Sequence, residues 1–530
     1  MGYRPAFLDL SFDLKDLQAG LTVAIVALPL SLAIAIASGV GPDRGLVTAI
    51  VGGFLVSAMG GSRHQIGGPA GAFIVLVAGC VAAIGIDGLI VATMLSGAML
   101  AVLGLLRLGG TMRLVPYPVI LGFTAGIAVI IAASQLRDLL GLTLSVPEPA
   151  ALLPKLSALW QARATADPQV IGVALTAVAV IVFAQRLAPR LPALLLGIVA
   201  ATLAAQVLDA PSVFDRFGAL PAGLPMPMLP ALDWASVQAA LPFAVGFTLL
   251  GAIESLLSAM VADQMAGTRM RPDDELIGQG LANIGAGLFG GFCVTGTIAR
   301  TATNVKAGSR GPASGMIHAA LLLGFLIVAA PLVGAIPLAG LAGLLMVVAW
   351  KMIEWHAMIS LTRIDRAEAG VMVATFLGVI LHDLTTGILI GMALTGMLFI
   401  ARMSREGTAH APATDPDGPA DRMVIHLSGP VFFGSVARIE GALARIDAHP
   451  RLLLLDMSQV MLIDRSGAQM IRDLSDRRRA AEPGSWRFMR GRCCGRDCMA
   501  ASRLRTTLPV CEALTGSVIL KSIHLQNFLL

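Results

Sequence analysis

Charge is scarce in this 530-residue chain, and so are large aromatic rings: 13% of residues are charged, five are tryptophan and two are tyrosine. A soluble globular protein carries roughly 25% charged residues, so a water-soluble enzyme or binding domain of this length is excluded. Cysteine is nearly absent from the apolar part. Of the six, only Cys80 and Cys293 precede residue 490, far apart and each in hydrophobic surroundings, and no disulfide framework is implied. What the chain has instead is 56% hydrophobic residues, 58 glycines and a mean hydropathy of +0.80, the composition of a polytopic membrane protein. The formal net charge of +5 does not point to nucleic acid. Of the 38 Lys and Arg, 16 follow residue 405, and most of the others lie between apolar runs, where basic loops orient membrane proteins.

Asp9, Asp13, Lys15 and Asp16 precede an apolar run from Leu17 to Ser38. That run exceeds the roughly 7 to 15 residues of a signal-peptide core, so it is expected as a first spanning helix kept in the mature chain. Further apolar runs fall at 45–59, 66–85, 88–106, 114–134, 168–184 and 191–208, making a set of seven. A Pro-rich link from Asp209 to Pro230 leads to a second seven at 236–262, 276–292, 297–308, 312–334, 336–353, 367–381 and 384–401. Each is judged against the roughly 20 residues that span about 30 Å of hydrocarbon. With the N-terminus inside, the inner side of residues 1–405 holds 16 Lys and Arg and the outer side five, Arg44, Arg137, Lys155, Arg163 and Arg216. The inner excess supports an even number of spans and cytoplasmic termini in a cell membrane, for a bacterium the inner one. Only Arg300 of the 22 is left over, inside a short apolar segment.

That segment is the third of the second set, and the third of the first set is also unusual. It reads QIGGPAGAFIVLVAG, Gln65 to Gly79, and opens with glycines and a proline that cannot continue a helix inward. A helix from Gly71 to Ile84 would be about 21 Å long and one from Thr297 to Gly308 about 18 Å, so each crosses part of the bilayer. Short, Gly/Pro-interrupted segments at matching positions of two halves are the sign of an inverted-repeat transporter whose half-helix N-termini meet at the midplane. Unpaired N–H groups and about half a positive charge at each N-terminus make two facing termini an anion site. Arg300 lies about one turn into the second half-helix and adds a full charge. An arginine at the membrane centre costs about 2.5–3.5 kcal/mol on insertion scales, so it needs an anion or a fixed acid as partner.

PLSLAIAIASGVGPDRGL (Pro29 to Leu46), GSRHQIGGPAGAF (Gly61 to Phe73) and the long block from Glu254 to Pro312, which contains ESLLSAMVADQMAGTRMRPDDELIGQG and FCVTGTIARTATNVKAGSRGP, strongly resemble the SulP anion transporters, the solute carrier 26 family. The resemblance covers nearly the whole chain, and among bacterial members it is nearest in appearance to C4-dicarboxylic acid transporters. It implies an all-α polytopic fold of fourteen spans, seven plus seven inverted repeats of the UraA-like type, with a core domain moving against a gate domain in a homodimer. It also implies a substrate between spans 3 and 10. Carried over by position, Gly68, Pro69, Ala70, Gly71 and Ala72 come from the first half-helix and Gly296, Thr297, Ile298, Ala299 and Arg300 from the second. Arg300 matches the arginine that prestin-like members place at the anion site. One departure is PDRGLV after the first span, where many members read GLY at its end.

Span 8 supplies the second charge, Glu254, with Ser258 one turn later on the same face. Glu254 serves either to neutralise Arg300 or as a coupling group, since a carboxylate shielded from water holds a proton more readily and can carry it with the substrate. Sodium-coupled bicarbonate members carry Asp and Thr where this chain has Glu254 and Ser258, and Thr where it has Ala70. The changes favour a proton over sodium. The function expected is proton-coupled uptake of small anions, C4-dicarboxylates such as succinate or fumarate first, with sulfate or bicarbonate transport as the alternative and an uncoupled anion channel behind it. No cofactor is implied, and no nucleophile, base or metal constellation assembles into an enzyme site.

Other motifs read as structure. Gly285 to Gly290, GAGLFG, fits the G-x-G-x-x-G pattern, but no strand precedes it and close helix packing is the expectation, as for Gly387 and Gly391. His382 with Asp383 is expected at the outer interface, and Arg63 with His64 in a short inner loop, solvated or facing lipid. After Arg405 the stretch 406–421 is a polar Pro/Ala/Asp linker, and residues 422–530 alternate like a soluble α/β domain. Strands are expected in MVIHLSG, LLLLDM and VMLID, and helices at Val436 to His449 and Ser466 to Arg479. LLLLDMSQVMLIDRSGAQMIRDL resembles a STAS domain, which implies a possible cytoplasmic partner and matches the turn Asp464, Ser466, Gly467 to the STAS loop. Ser466 is expected to cap the following helix. Past about residue 485 the β alternation stops and four cysteines cluster; Cys493, Cys494 and Cys498 complete no four-ligand metal spacing, and a frameshift, natural or in the gene model, is the expected cause of the break.

Overall fold

The computed structural model describes residues 3–10, 12–110, 116–145, 148–149, 151–187, 191–219, 221, 223–230, 233–382, 384–406, 408–414, 422–444, 452–481 and 519–521. It divides into two compact units, residues 1–392 and 393–530. The chain is a mostly helical membrane protein followed by an α/β domain.

The first unit starts with α1 (Leu14–Ala37), α2 (Pro42–Val47) and α3 (Gly53–Met59), the last two joined through a π turn at Thr48–Gly52. A two-residue strand β1 (Gly67–Gly68) and a 3-10 turn (Gly71–Phe73) lead into α4 (Ile74–Leu105). Inside α4, Gly85 has φ 72°, a left-handed conformation that ends one apolar helix and starts the next, just after Ile84. Then come α5 (Tyr117–Leu140), α6 (Leu152–Gln161), α7 (Pro168–Leu187), α8 (Ala193–Leu208) and α9 (Val213–Phe217). The Pro-rich link is therefore not plain coil: Ser212 and Asp215 close a capping box on α9.

The second half follows with α10 (Trp234–Ala266), α11 (Pro272–Leu288), β2 (Thr295–Gly296), α12 (Ile298–Lys306), α13 (Ala313–Val328), α14 (Ala330–Gly334), α15 (Leu338–Met352), α16 (Trp355–Ile364), α17 (Arg366–Leu381) and α18 (Leu384–Glu406). Among the described residues seven helices are long and apolar enough to cross a membrane. Small residues let these helices approach closely, which is how association proceeds where lipid supplies no hydrophobic drive. Gly97 meets the backbone of α11 at Gly280, and Gly122 meets that of α17 at Met372.

The second unit is a four-stranded sheet in the order β3 (Thr408–Thr414), β4 (Arg422–Val431), β5 (Leu452–Ile463), β6 (Ile519–Lys521). β3 pairs antiparallel with β4, while β5 runs parallel to both β4 and β6. Helices α19 (Phe433–Ala444) and α20 (Arg465–Ala481) accompany it, around a core of Ile425, Leu427, Val431, Ile439, Met457, Met470 and Ile471. Two details differ from expectation. LLLLDM and VMLID form one strand with shifted register rather than two. Part of the stretch expected as linker is strand β3, because a backbone ladder requires only backbone N–H and C=O groups, which its Thr, Ala and His residues supply on either side of Pro412, where the register shifts. The Cys493, Cys494 and Cys498 cluster and the frameshift reading lie outside the described residues.

Capping at the STAS loop also differs. Asp464 Oδ1 accepts from Gly467 N (2.7 Å) and Asp464 Oδ2 from Phe433 N (3.0 Å), so one carboxylate serves the starts of both helices. Ser466 is exposed and does not cap α20. The carboxylate two residues earlier reaches the free N–H first.

Candidate anion site

Two extended segments cross side by side in the first unit. Gly67 pairs with Gly296 and Gly68 with Thr295, antiparallel, and Thr297 N donates to Ile66 O at 3.0 Å. Glycine is required by close approach on both sides. A Cβ on Gly68 would overlap Arg300 Nη1, and one on Gly296 would overlap the Gln65 amide. Just past each strand a helix begins, at Gly71 and at Ile298, and neither start has a side-chain cap. The backbone thereby brings Gly68, Pro69, Ala70, Gly71 and Ala72 next to Gly296, Thr297, Ile298, Ala299 and Arg300, and leaves two sets of helix N-terminal N–H groups uncovered by side chains. Ile298 is 46% exposed, and Gly71 faces Ile131 of α5 and Met352 of α15 at 3.4 and 3.8 Å from its ideal Cβ position.

Arg300 does not project into the space in front of these helix starts. It is 1% exposed, and its Nη2 donates to Ser31 Oγ on α1 and to Pro69 O, both at 3.2 Å. Nε and Nη1 have no hydrogen-bond partner among the described residues. The guanidinium therefore lies behind the first segment, packed on Gly68, and its charge acts through that backbone. Gly68→Ala is expected to push the guanidinium off its seat. Overpacking of this kind costs about 1–3 kcal/mol, so the thermal midpoint should fall and anion affinity should drop tenfold or more; an unchanged affinity in a titration of the purified variant would refute the packing role.

Glu254 sits on α10, half-buried, with no hydrogen bond or ion pair to another described residue. It therefore does not pair with Arg300 here. Ser258 is not free either: its Oγ donates to Thr301 Oγ1 at 3.1 Å, which also accepts from Ile66 N at 3.1 Å. Sequence reasoning missed Ser255. Its Oγ shares a hydrogen bond with Thr295 Oγ1 (2.8 Å) and accepts from Gly296 N (3.4 Å), while its carbonyl accepts from Gln65 Nε2 (3.1 Å). Ser255 next to Glu254 in an apolar run was the available signal, since buried hydroxyls are hydrogen-bonded.

The remaining motifs resolve as packing. Gly285 meets Leu55, Gly287 meets Met94, and Gly387 and Gly391 meet Val379 and Thr375 of α17, so the G-x-G-x-x-G match is helix contact. His64 is neither solvated nor lipid-facing, a correction to the sequence expectation. It is buried, its Nδ1 is 3.0 Å from Ser309 Oγ, its carbonyl accepts from Asn304 Nδ2 at 2.9 Å, and burial holds its proton affinity below the usual histidine range. Loops that close over a helix end must bury their polar groups in pairs. His382 is exposed at the end of α17, and Asp383 lies outside the described residues.

Residues 14–375 match the sequence model of the sulfate permease family, and residues 412–482 match that of the STAS domain. The chain is 38% identical over 472 residues to "Putative sulfate transporter YvdB" of Bacillus subtilis (strain 168), covering 87% of this chain and 89% of that protein. It is 31% identical over 476 residues to the bicarbonate transporter BicA of Picosynechococcus sp. (strain ATCC 27264 / PCC 7002 / PR-6), covering 84% and 83%. Among solved structures, the transmembrane domain of a cyanobacterial BicA superposes with a TM-score of 0.65 at 32% identity, over 71% of this chain and 98% of that one. SLC26A9 superposes with a TM-score of 0.78 at 17% identity, over 97% and 85%, a likeness of fold.

Proposed function

Because the chain belongs to the sulfate permease family, it is an anion transporter and not an enzyme, and we propose that it moves small anions together with protons. The observation that carries this reading is the pair of uncapped helix starts held together by β1 and β2 with the Arg300 guanidinium seated behind them. Backbone N–H groups and a fixed cation favour an anion of either one or two charges. On this reading the helices beginning at Gly71 and Ile298 are half-membrane helices, and the chain crosses the bacterial inner membrane fourteen times with both termini in the cytoplasm. The helices bearing the cradle form the core, and α5 and α15, which Gly71 faces, belong to the gate. The protein works as a homodimer, and its STAS domain offers a surface to a cytoplasmic partner.

Glu254 carries the coupled proton. It has no positive partner among the described residues that would hold it ionised, and Glu254, Ser258 and Ala70 replace the Asp, Thr and Thr of sodium-coupled relatives. For substrate, the likeness noted in the sequence favours C4-dicarboxylates. A second reading, sulfate or bicarbonate, is favoured by the names of the relatives at 38% and 31% identity.

Uptake of radiolabelled succinate into proteoliposomes, with and without an inward proton gradient, decides between them. Gradient-driven accumulation blocked by fumarate and not by sulfate is the expected result. Competent protein that takes up sulfate or bicarbonate and no succinate replaces the dicarboxylate reading with the second one.

A further inference from the structure

Ahead of β1 the chain is held by a carboxylate from the other half of the first unit. Glu275, in the first turn of α11, is completely buried. Its Oε2 accepts from Gly61 N at 2.9 Å and from Ser62 N at 3.0 Å, and its Oε1 accepts from Gln279 Nε2 at 2.9 Å. The fit is close. A Cβ on Gly60 would lie 2.8 Å from Glu275 Oε2, and one on Gly61 would overlap Arg271 O, so this loop lies directly on the start of α11. Arg271 N also donates to Gly61 O at 3.2 Å, and Ala6 N to Gly60 O at 3.1 Å. From Ser62 the chain continues through Gln65 and Ile66 to Gly67, where β1 begins.

Gln279 suits both charge states of this carboxyl. It is completely buried, and its Oε1 has no hydrogen-bond partner among the described residues. An amide offers donors on one side and an acceptor on the other, and half a turn about its last torsion exchanges them. As it stands, Nε2 donates to an ionised Glu275 Oε1; turned, Oε1 accepts from a protonated one. One hydrogen bond joins the pair in either state, and one side of the amide stays unbonded in either state. The balance of charge is divided too, since absence of water favours the neutral acid while three N–H donors favour the anion.

The titratable groups on the packed elements are few. α11 packs against α4, α3, the π turn 48–52 and α10. α3 and the π turn contain none, and on α4 Cys80 and Asp87 lie toward the far end, because Gly104 is the residue that meets Asp273 O. On α10, Asp263 accepts from Thr268 Oγ1 and Met270 N, both at 2.7 Å, and Glu254 lies about 14 Å farther along the helix. On α11 itself, Asp273 accepts from Gly109 N at 3.0 Å and Asp274 from Arg271 Nε at 2.6 Å, while Arg271 Nη2 donates to Arg4 O at 2.6 Å. Tyr3 donates to Met59 O at 2.6 Å, Arg63 is exposed, and His64 is bonded to Ser309. Arg271 is thus shared between Asp274 and Arg4 O, and the hydrogen bonds on Glu275 come from backbone and amide donors.

We propose that Glu275 and Gln279 form a proton-responsive anchor for the cradle: the ionised carboxylate holds residues 61 and 62 firmly, and a proton taken from the cytoplasmic side loosens them and weakens anion binding. Glu275 is a positioning residue here and not a carrier, and the proposal rests on the reading of the cradle as an anion site. The proton adds to Oε1, the Gln279 amide turns, and the new O–H donates to Gln279 Oε1. Oε2 keeps both backbone donors as the acceptor of a neutral acid, and hydrogen bonds to an ionised acceptor are roughly twice as strong. The sign of the coupling follows from linkage: a proton that weakens the hold on the anion is itself expelled when the anion binds. Glu254 works in the opposite sense, taking up its proton as the anion arrives. Because uptake with protons acidifies the interior, the anchor slows uptake as the interior fills.

The test follows proton release with a pH dye in weakly buffered solution as sulfate or fumarate, both fully ionised between pH 6 and 8, is added to the full chain in nanodiscs. In Glu254→Gln, which lacks the coupled proton, anion binding is expected to release protons, and Kd should rise about fivefold from pH 8 to pH 6. In Glu254→Gln/Glu275→Gln both effects should vanish, with Kd fixed near the acid value, since glutamine keeps an acceptor for Gly61 and Ser62 and an N–H for Gln279 Oε1. No release in Glu254→Gln, or release that persists in the double variant, overturns the proposal. Hydrogen exchange at Gly61 and Ser62 of the wild type without anion gives a readout that needs no variant: protection relative to the intrinsic rate should fall between pH 8 and pH 6, and constant protection overturns the proposal. Failure of both anions to bind wild-type protein would instead overturn the cradle as their site, with the pH dependence of exchange still deciding the anchor.

Discussion

Replacing Arg300 with alanine is expected to lower anion affinity about a hundredfold while leaving the folded state intact. Its guanidinium makes no direct contribution to the open face of the cradle; it donates to Ser31 Oγ and Pro69 O from behind. At an effective dielectric of about 20 and a separation of about 6 Å, one positive charge contributes about 3 kcal/mol to an anion at the helix starts. That corresponds to about two powers of ten in Kd. Burying the charge opposes folding in the empty protein, by about 2.5–3.5 kcal/mol on insertion scales, so the alanine variant should not melt earlier than wild type. Arg300→Lys separates charge from shape. It keeps the cation and loses the Nη2 that donates to both Ser31 Oγ and Pro69 O, and a loss of about tenfold is expected. Wild-type affinity in Arg300→Ala, measured by titration calorimetry with an anion that wild type binds, would remove Arg300 from the site.

Glu254→Gln is expected to reduce proton-driven accumulation about tenfold for each pH unit of gradient. Each coupled proton contributes 1.4 kcal/mol per pH unit, a factor of about ten in the accumulation ratio. Glutamine resembles the protonated acid but cannot release its proton, so the empty carrier returns without having delivered one. Exchange of internal for external anion needs no net proton movement and should continue at close to the wild-type rate. The sign is definite: wild-type uptake rises as the outside is acidified, and the glutamine variant loses at least part of that rise. Accumulation equal to wild type at a fixed gradient would take Glu254 out of the coupling.

The apolar runs translated well into helices because length and composition are local properties of the chain. The opening QIGGPAGAF was legible for a similar reason, since glycine and proline stop helices wherever they stand and α4 does begin just past Gly71–Phe73. Side-chain direction was not legible. Arg300 was expected to meet substrate or Glu254, whereas the missing Cβ of Gly68, 232 residues away in sequence, gives its guanidinium a seat on the rear of the cradle. Ser31 and His318 each stand alone in apolar surroundings, and a single polar residue in a hydrophobic run looks the same whether it meets a partner or not. Ser466 shows the converse: a serine at the right distance from a helix lost the cap to Asp464, whose carboxylate reaches two helix starts.

The two-residue ladder between Gly67–Gly68 and Thr295–Gly296 has a consequence for how discrimination among solutes survives a transport cycle. Hydrogen bonds from one half of the chain to the other clasp the two short helices at their tips, so neither can slide without the other. If these helix starts hold the anion, as proposed, the vessel for the solute keeps one shape on both sides of the membrane, and a preference shown outside should also be shown inside. Adjusting that preference by mutation requires matched changes on both strands of the clasp, and a covalent staple across it should leave turnover untouched while one from Gly71 to α5 or α15 should stop it.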